Sequence, residues 1–162
     1  PPGADGLVFL PHLSGAGSPH WDDAARATFH GLSLATTRAH LTRAVLEGVA
    51  FQIRANLEVT QALAGVVNQM IVFGGGARSP LWTAIIGDVV NLPVATTPTV
   101  ETAALGAAML AGVGSQVFAS PAEARHALVH VGPSRAPVAG NATFYDAAYL
   151  NYRQIEERLL CR

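Results

Sequence analysis

Three consecutive glycines, Gly74, Gly75 and Gly76, form the part of this sequence whose residue types point most directly to chemistry. Residues without a β-carbon let a ligand approach the backbone closely and permit positive φ angles. Ser79 and Pro80 follow, and these residue types favour the N-cap and the first turn of a helix. Because the free N–H groups of a helix N-terminus attract anions, the segment predicts a seat for a phosphate or a ribose. The same pattern also suits a tight strand-to-helix turn without a ligand.

Other motifs that would compete with this interpretation are absent or incomplete. A dinucleotide-binding G-x-G-x-x-G motif would need a glycine where Ser79 stands, and Thr96 and Thr97 replace the acidic residue expected after the next strand. The sequence contains no Lys, which excludes a Walker A loop and Schiff-base chemistry within this segment. Its histidines lack metal-ligand spacing, and no G-x-S-x-G elbow is present. The residues therefore indicate neither a Cys or His metal site nor a serine-hydrolase nucleophile.

The composition of the chain indicates which partners and which cellular location to expect. Of its 162 residues only 13% are charged, against roughly 25% in typical soluble domains, so we expect apolar surface that meets another domain or a second copy in a homodimer. A net charge of −1 without a basic patch argues against nucleic-acid binding. No apolar run approaches the roughly 20 residues that span a bilayer, and no signal peptide is recognisable. The single Cys161 cannot form an internal disulfide, so we predict a cytoplasmic protein.

Apolar periodicity and turn residues predict an α/β fold. Strands are predicted at residues 7–10, 69–73 and 94–97, and helices at residues 37–64, 79–91 and 101–111, from Ser120, and from Asn141 onwards. Gly65 is expected to end the first helix, and Gly48 within it to mark a close backbone contact. The strand–helix alternation favours a short, mostly parallel sheet packed by helices. Three strands are few for so many helices, which predicts part of a larger domain.

Several polar residues within these elements are predicted to have structural roles. Arg54 and Glu58 lie one helical turn apart and are expected to form a solvated pair. Glu47 and Asp88 lie within predicted helices and are expected to stabilise the fold rather than to take part in chemistry. Residues 22–23 are expected to cap a short turn.

Taken together and in order, several segments resemble the FGGY family of carbohydrate kinases, most closely its xylulokinase branch. They are residues 7–22, residues 29–32, the stretch His-Leu-Thr-Arg-Ala-Val-Leu-Glu-Gly at 40–48, the glycine turn with Ser-Pro-Leu-Trp at 79–82, and Pro-Val at 93–94 followed by Glu-Thr-Ala-Ala-Leu-Gly-Ala-Ala at 101–108. The resemblance covers nearly the whole chain, and the ordered combination is specific.

The resemblance implies a fold of two ribonuclease-H-like, or actin-like ATPase, domains on either side of a cleft. Residues 1–162 would be the C-terminal part of the second domain; the N-terminal domain with its catalytic Asp, and the start of the second domain, would precede them. It also implies ATP-dependent phosphorylation of a small sugar, most closely xylulose to xylulose 5-phosphate. Mg would be held by the ATP phosphates and by upstream residues, and the isolated chain is expected to be inactive.

The resemblance also assigns nucleotide contacts by position. Gly74, Gly75 and Gly76 would let the α-phosphate and the ribose lie against the backbone, and Gly75 is most similar to an ATP-contacting glycine of the family. Ala77 and Arg78 would shape the purine pocket. Ser79 occupies a position that faces the adenosine in relatives, and it has an equally good explanation as a helix cap.

A non-catalytic actin-like or ROK-type module for nucleotide binding or protein interaction is the alternative. Such a module would share the glycine turn but would have no reason to carry the signature at residues 40–48. One difference from the kinases stands out, because relatives often have Glu-Arg-Thr where this chain has Ala16, Gly17 and Ser18.

Overall fold

A computed structural model describes residues 2–160; Cys161, on which the predicted cytoplasmic location depends, lies outside them. The elements in chain order are β1 (Val8–Leu10), β2 (Thr28–His30), α1 (Arg38–Ala64), β3 (Met70–Val72), α2 (Pro80–Val90), β4 (Val94–Thr96), α3 (Thr102–Gly114), α4 (Pro121–Leu128) and α5 (Ala139–Leu160). Two 3-10 helices, Ala4–Gly6 and Gly75–Arg78, precede β1 and α2. The α/β class and the three predicted strands are confirmed.

The four strands form two separate pairs. β3 and β4 are parallel, with Met70 opposite Val94, as the strand–helix–strand order predicts. β1 pairs instead with β2 in the antiparallel sense, with Val8 opposite His30. The sequence did not predict β2, because three residues within a Gly- and Pro-containing stretch give no readable alternation.

Helix α1 begins and ends where its sequence signals place the boundaries. Thr37 is the N-cap: its side chain accepts a hydrogen bond from the His40 N–H (3.4 Å), and the Thr37 N–H donates to His40 Nδ1 (3.3 Å). Gly65 closes the helix with a φ of 92°, in the left-handed region that glycine adopts without strain.

The main core lies where α1, α2 and α5 meet. Phe51 of α1 packs against the rings of Tyr145, Tyr149 and Tyr152, with centroid separations of 6.1, 5.9 and 5.2 Å. Aliphatic side chains complete this cluster, among them Val8, Leu10, Ala50, Ala55, Ile85, Ile86, Val89, Val94 and Ile155. β3 and α2, which flank the glycine turn, both pack on this one apolar cluster.

Gly48 lies where α1 crosses β1, and the predicted close backbone approach is confirmed. A β-carbon placed on Gly48 would collide with the backbone carbonyl of Phe9. The crossing is therefore closer than any residue with a side chain allows.

We expect Gly48→Ala to destabilise the protein by about 1–3 kcal/mol through overpacking against β1, although alanine is the better helix former. Gly106→Ala in α3 is the matched control, because no atom lies within 4 Å of the added carbon. That variant should gain up to about 1 kcal/mol from helix propensity. Urea denaturation of both variants measures the difference, and stabilisation by both substitutions would contradict the packing at Gly48.

Arg54 and Glu58 do form the predicted pair, with Arg54 Nε 3.4 Å from Glu58 Oε1, but Arg54 is mostly buried and has further partners. Arg54 Nη1 lies 2.7 Å from Asp146 Oδ1 and donates to the Val89 carbonyl (3.0 Å), and the guanidinium lies 4.5 Å from the centre of the Tyr149 ring. Arg54 thus joins α1 to α2 and α5. The helical spacing alone does not reveal this, because α5 is far away in sequence.

The prediction that Asn141 caps the last helix is also wrong, since α5 begins at Ala139. Asn141 Nδ2 instead donates to Asp88 Oδ2 (2.8 Å), and Asp88 Oδ1 accepts from the Val138 N–H (2.9 Å). The buried Asp88 of α2 therefore holds the start of α5, which bears out its expected structural role.

All three tyrosines of the chain lie in α5, and burial raises the pKa of each hydroxyl. Hydrogen bonds to Glu47 and Glu58 raise the pKa of Tyr145 and Tyr149 further, that of Tyr149 to about 12. For Tyr152 the nearby charge of Glu156 adds to the effect of burial.

Because these pKa values are higher in the fold than in the unfolded chain, the fold favours neutral tyrosines. Their contribution to stability is complete below the ordinary tyrosine pKa of about 10, and it is lost as pH rises toward the folded pKa, about 12 for Tyr149. In an ultraviolet titration we expect no tyrosine of the native chain to ionise near pH 10, whereas the chain unfolded in guanidinium should ionise there. A native tyrosine with an ordinary pKa would contradict this packing.

Candidate functional site

The glycine turn joins β3 to α2. Gly74 follows the strand with a φ of 81°, and Gly75–Arg78 then form a 3-10 helix before α2 begins. Ser79 is the N-cap of α2, with its Oγ accepting from the Trp82 N–H at 3.3 Å. The predicted strand–turn–helix arrangement and the cap are confirmed, and the 3-10 helix was not predicted.

The three glycines differ in how open they are. No atom lies within 4 Å of a β-carbon added to Gly74 or Gly75. At Gly76 such a carbon would fall on the ring of Trp82, so this glycine makes room for the protein's own side chain. A ligand can therefore approach the backbone at Gly74 and Gly75, whereas Trp82 covers Gly76.

A cleft of about 240 Å³ opens beside the turn. It lies between the first turn of α2, strand β4 and the segment that precedes α5, and its lining residues are Ala77, Pro80, Thr83, Val94, Thr96, Pro133 and Arg135. Of the predicted site residues only Ala77 lines it. Most of its surface is apolar, and Arg135 supplies the cationic group.

Arg135 reaches the cleft from the segment between α4 and α5. Its backbone pairs with Val94 in β4, and its Nη1 lies 3.3 Å from Asp88 Oδ1. Nothing in the sequence signals this position, because it depends on a pairing between segments that are far apart along the chain.

Glu47, which belongs to the segment at residues 40–48, does not line the cleft. Only 2% of its surface is exposed, and its Oε1 accepts hydrogen bonds from the Gly3 N–H (2.9 Å), Arg43 Nε (2.6 Å) and the Tyr145 hydroxyl (2.6 Å). Burial acts against the charge of Arg43, yet the hydrogen bonds to Glu47 and Tyr145 leave its pKa raised. Glu47 therefore connects α1 to α5 and to the 3-10 helix before β1, as expected of a structural residue.

The part of the chain that the structure describes contains neither a cluster of metal-ligand side chains nor a helix that could span a membrane. Within residues 2–160, no three His, Cys, Asp or Glu side chains are grouped so that they could hold a metal ion. None of the helices in this range combines the length and the apolar character needed to cross a bilayer.

Residues 1–115 match the FGGY family of carbohydrate kinases, C-terminal domain, and the chain belongs to this family. It is 32% identical over 153 residues to a xylulose kinase of Staphylococcus xylosus, which is 94% of this chain and 32% of that protein. The chain thus spans about a third of the length of such a relative.

Solved structures of kinases are similar to this chain over a part of their length as well. The xylulose kinase from Rhodospirillum rubrum superposes with a TM-score of 0.83 and 34% identity over 100% of this chain and 33% of its own. The Plasmodium falciparum glycerol kinase with ADP gives a TM-score of 0.77 and 26% identity over 97% and 31%. These similarities confirm the predicted fold, that of the C-terminal domains of FGGY kinases with their actin-like ATPase architecture.

Proposed function

We propose that this chain is the ATP-binding part of a sugar kinase that transfers the γ-phosphate of ATP to a ketopentose hydroxyl. The observation that supports this most directly is the open backbone at Gly74 and Gly75 in front of the N-terminus of α2. In a member of a carbohydrate kinase family, such a surface suits the phosphates and ribose of a nucleotide. The similar glycerol kinase structure with ADP supports the same assignment.

Within this site each predicted residue has a distinct part. The α-phosphate and the ribose lie against Gly74 and Gly75, where a ligand meets no side chain. Gly76 seats the ring of Trp82, which closes one side of the turn. Ala77 lines the cleft that receives the base. Ser79 caps the first turn of α2 by accepting from the Trp82 N–H, and the positive end of the helix dipole lies at this turn.

Phosphoryl transfer depends mainly on positioning and on charge neutralisation. Mg²⁺ bound to the nucleotide supplies much of that neutralisation; we propose that the phosphates and residues outside this chain hold it, since residues 2–160 offer no metal-ligand cluster. The general base that deprotonates the sugar hydroxyl also lies outside the chain, in the part of the relatives that it does not span. The chain then forms one side of a closing cleft and is inactive alone.

Exposed apolar side chains favour contact with the remainder of such a kinase. Ile71 and Phe73 in and after β3, Leu63 at the end of α1, and Leu81 in the first turn of α2 are all exposed. We propose that residues 1–162 are the C-terminal part of the second kinase domain, and that these side chains meet the rest of that protein or a second copy of the chain. A cytoplasmic location suits an enzyme supplied with ATP.

The reaction is tested in the longer protein that contains this chain. ADP release is measured with ATP, Mg²⁺ and, separately, xylulose, glycerol and gluconate, and phosphorylation of xylulose is the expected result. Preference for glycerol or gluconate would overturn the ketopentose assignment but not the kinase activity. Phosphorylation of any sugar by the 162-residue chain alone would overturn the proposal that the general base lies outside it. If no sugar stimulates ADP release, the non-catalytic module is the better interpretation.

A further inference from the structure

We propose that Arg135 recognises the purine base of the nucleotide, donating hydrogen bonds from its guanidinium to acceptor atoms of the ring. The inference rests on the proposed nucleotide site and adds a base-contacting residue to it. Arg135 lies outside residues 1–115, the part of the chain that matches the family.

The backbone around Arg135 is fixed against β4. The Arg135 N–H donates to the Val94 carbonyl (2.8 Å), and the Val94 N–H donates to the Arg135 carbonyl (2.9 Å). Three residues earlier, the Gly132 N–H donates to the Thr96 carbonyl (2.8 Å). Residues 132–135 therefore extend the edge of the β3–β4 pair and form one wall of the cleft, so the position of Arg135 is set by main-chain bonds.

One nitrogen of the Arg135 guanidinium is hydrogen-bonded within the described residues, and the other two are not. Nη1 lies 3.3 Å from Asp88 Oδ1 and 3.4 Å from the Ala84 carbonyl, and Asp88 is only 4% exposed. Nε and Nη2 have no hydrogen-bond partner within residues 2–160, and 44% of the side chain is exposed. Arg135 thus presents unused donors while a buried carboxylate restrains its direction.

The size and surface of the cleft suit a base. Its volume of about 240 Å³ is below the roughly 300–1,000 Å³ of pockets that hold whole drug-sized ligands. Ala77, Pro80, Val94 and Pro133 provide apolar walls for a flat ring. The cleft begins at Ala77, two residues after the open Gly75, so it is the cavity adjacent to a ribose bound there.

The charge of the site favours a base over a phosphate at Arg135. Asp88 balances the guanidinium, so the pair carries no net charge toward a second anion. Arginine donates only, and purines offer ring-nitrogen acceptors, with N7 common to adenine and guanine and O6 added in guanine. The occupant that fits is the ring of a purine nucleoside di- or triphosphate.

The test compares two ligands that differ only by the base. Arg135→Met, Arg135→Lys and the wild-type chain are titrated calorimetrically with ADP and with ribose 5-diphosphate. We expect Arg135→Met to weaken ADP binding about tenfold, which corresponds to the loss of about 1.4 kcal/mol, and to leave ribose 5-diphosphate binding unchanged. Arg135→Lys, which keeps the charge beside Asp88, should weaken ADP binding less. Arg125→Met, which removes an exposed arginine of α4, is the matched control and should bind both ligands as the wild type does.

The outcomes separate this inference from the proposed function. Equal weakening of both ligands by Arg135→Met would mean that Arg135 meets phosphate or only supports the fold, and it would overturn base recognition. Unchanged ADP binding by Arg135→Met would overturn it as well. A wild-type chain that binds neither ligand would overturn the proposed nucleotide site itself.

Discussion

Gly75→Val is expected to weaken ADP binding by the chain at least about tenfold, a loss of about 1.4 kcal/mol, while the chain remains folded. An added β-carbon meets no atom beyond the adjacent residues at this position, so we expect the substitution to leave the packing intact. It instead fills the space over the backbone where the ribose and the α-phosphate would lie. Calorimetric titration with ADP measures the affinity, and thermal unfolding without ligand measures the stability.

Gly106→Val is the matched control for this substitution. Gly106 lies in α3, and again no atom stands within 4 Å of an added β-carbon. The residue lines neither the glycine turn nor the adjoining cleft, so ADP affinity should stay at the wild-type value. Equal ADP affinity of Gly75→Val and the wild type would show that nucleotide does not bind at the open glycines.

Glu47→Leu is expected to destabilise the fold by about 3–5 kcal/mol, the cost of removing one partner from a buried ion pair. The substitution leaves the Gly3 N–H, the Tyr145 hydroxyl and the partly buried Arg43 without their common acceptor. Leucine fills a similar volume, so the loss reports the unpaired polar groups. Urea denaturation followed by circular dichroism measures the free energy of unfolding.

Glu58→Leu provides a comparison on the same helix. Glu58 also accepts from a tyrosine hydroxyl, that of Tyr149 (2.8 Å), and lies beside Arg54 (3.4 Å), but 48% of its side chain is exposed. Water can replace these partners, so the loss should stay within about 1 kcal/mol. Similar losses for the two variants would show that the burial of Glu47 does not determine its importance.

The features that the sequence predicts well are set by neighbouring residues. Thr37 and Gly65 bound α1, and Ser79 and Pro80 start α2, through contacts within one helical turn. Features set by distant residues were missed. Asn141 has the residue type of an N-cap, but Asp88 of α2 accepts the hydrogen bond from the Val138 N–H at the start of α5. Strand β2 is formed by its pairing with β1.

The candidate site divides in the same way. Three glycines in a row predict a backbone open to a ligand. Whether a side chain packs on any one of them depends on the tertiary structure. Trp82 folds back over Gly76 and leaves Gly74 and Gly75 open, a distinction that composition cannot make. Arg135 was missed because its place in the cleft depends on its pairing with Val94.

The most direct test of nucleotide binding at the glycine turn uses Trp82 as a reporter. The chain has two tryptophans, and Trp21→Phe replaces the other one, which is 79% exposed, so that Trp82 is the single source of tryptophan fluorescence. Because its ring lies on Gly76, titration with ADP should change its fluorescence saturably, and the change should disappear in the chain that also carries Gly75→Val. Fluorescence that stays constant on ADP addition, or that responds equally with and without Gly75→Val, would contradict a nucleotide site at this turn.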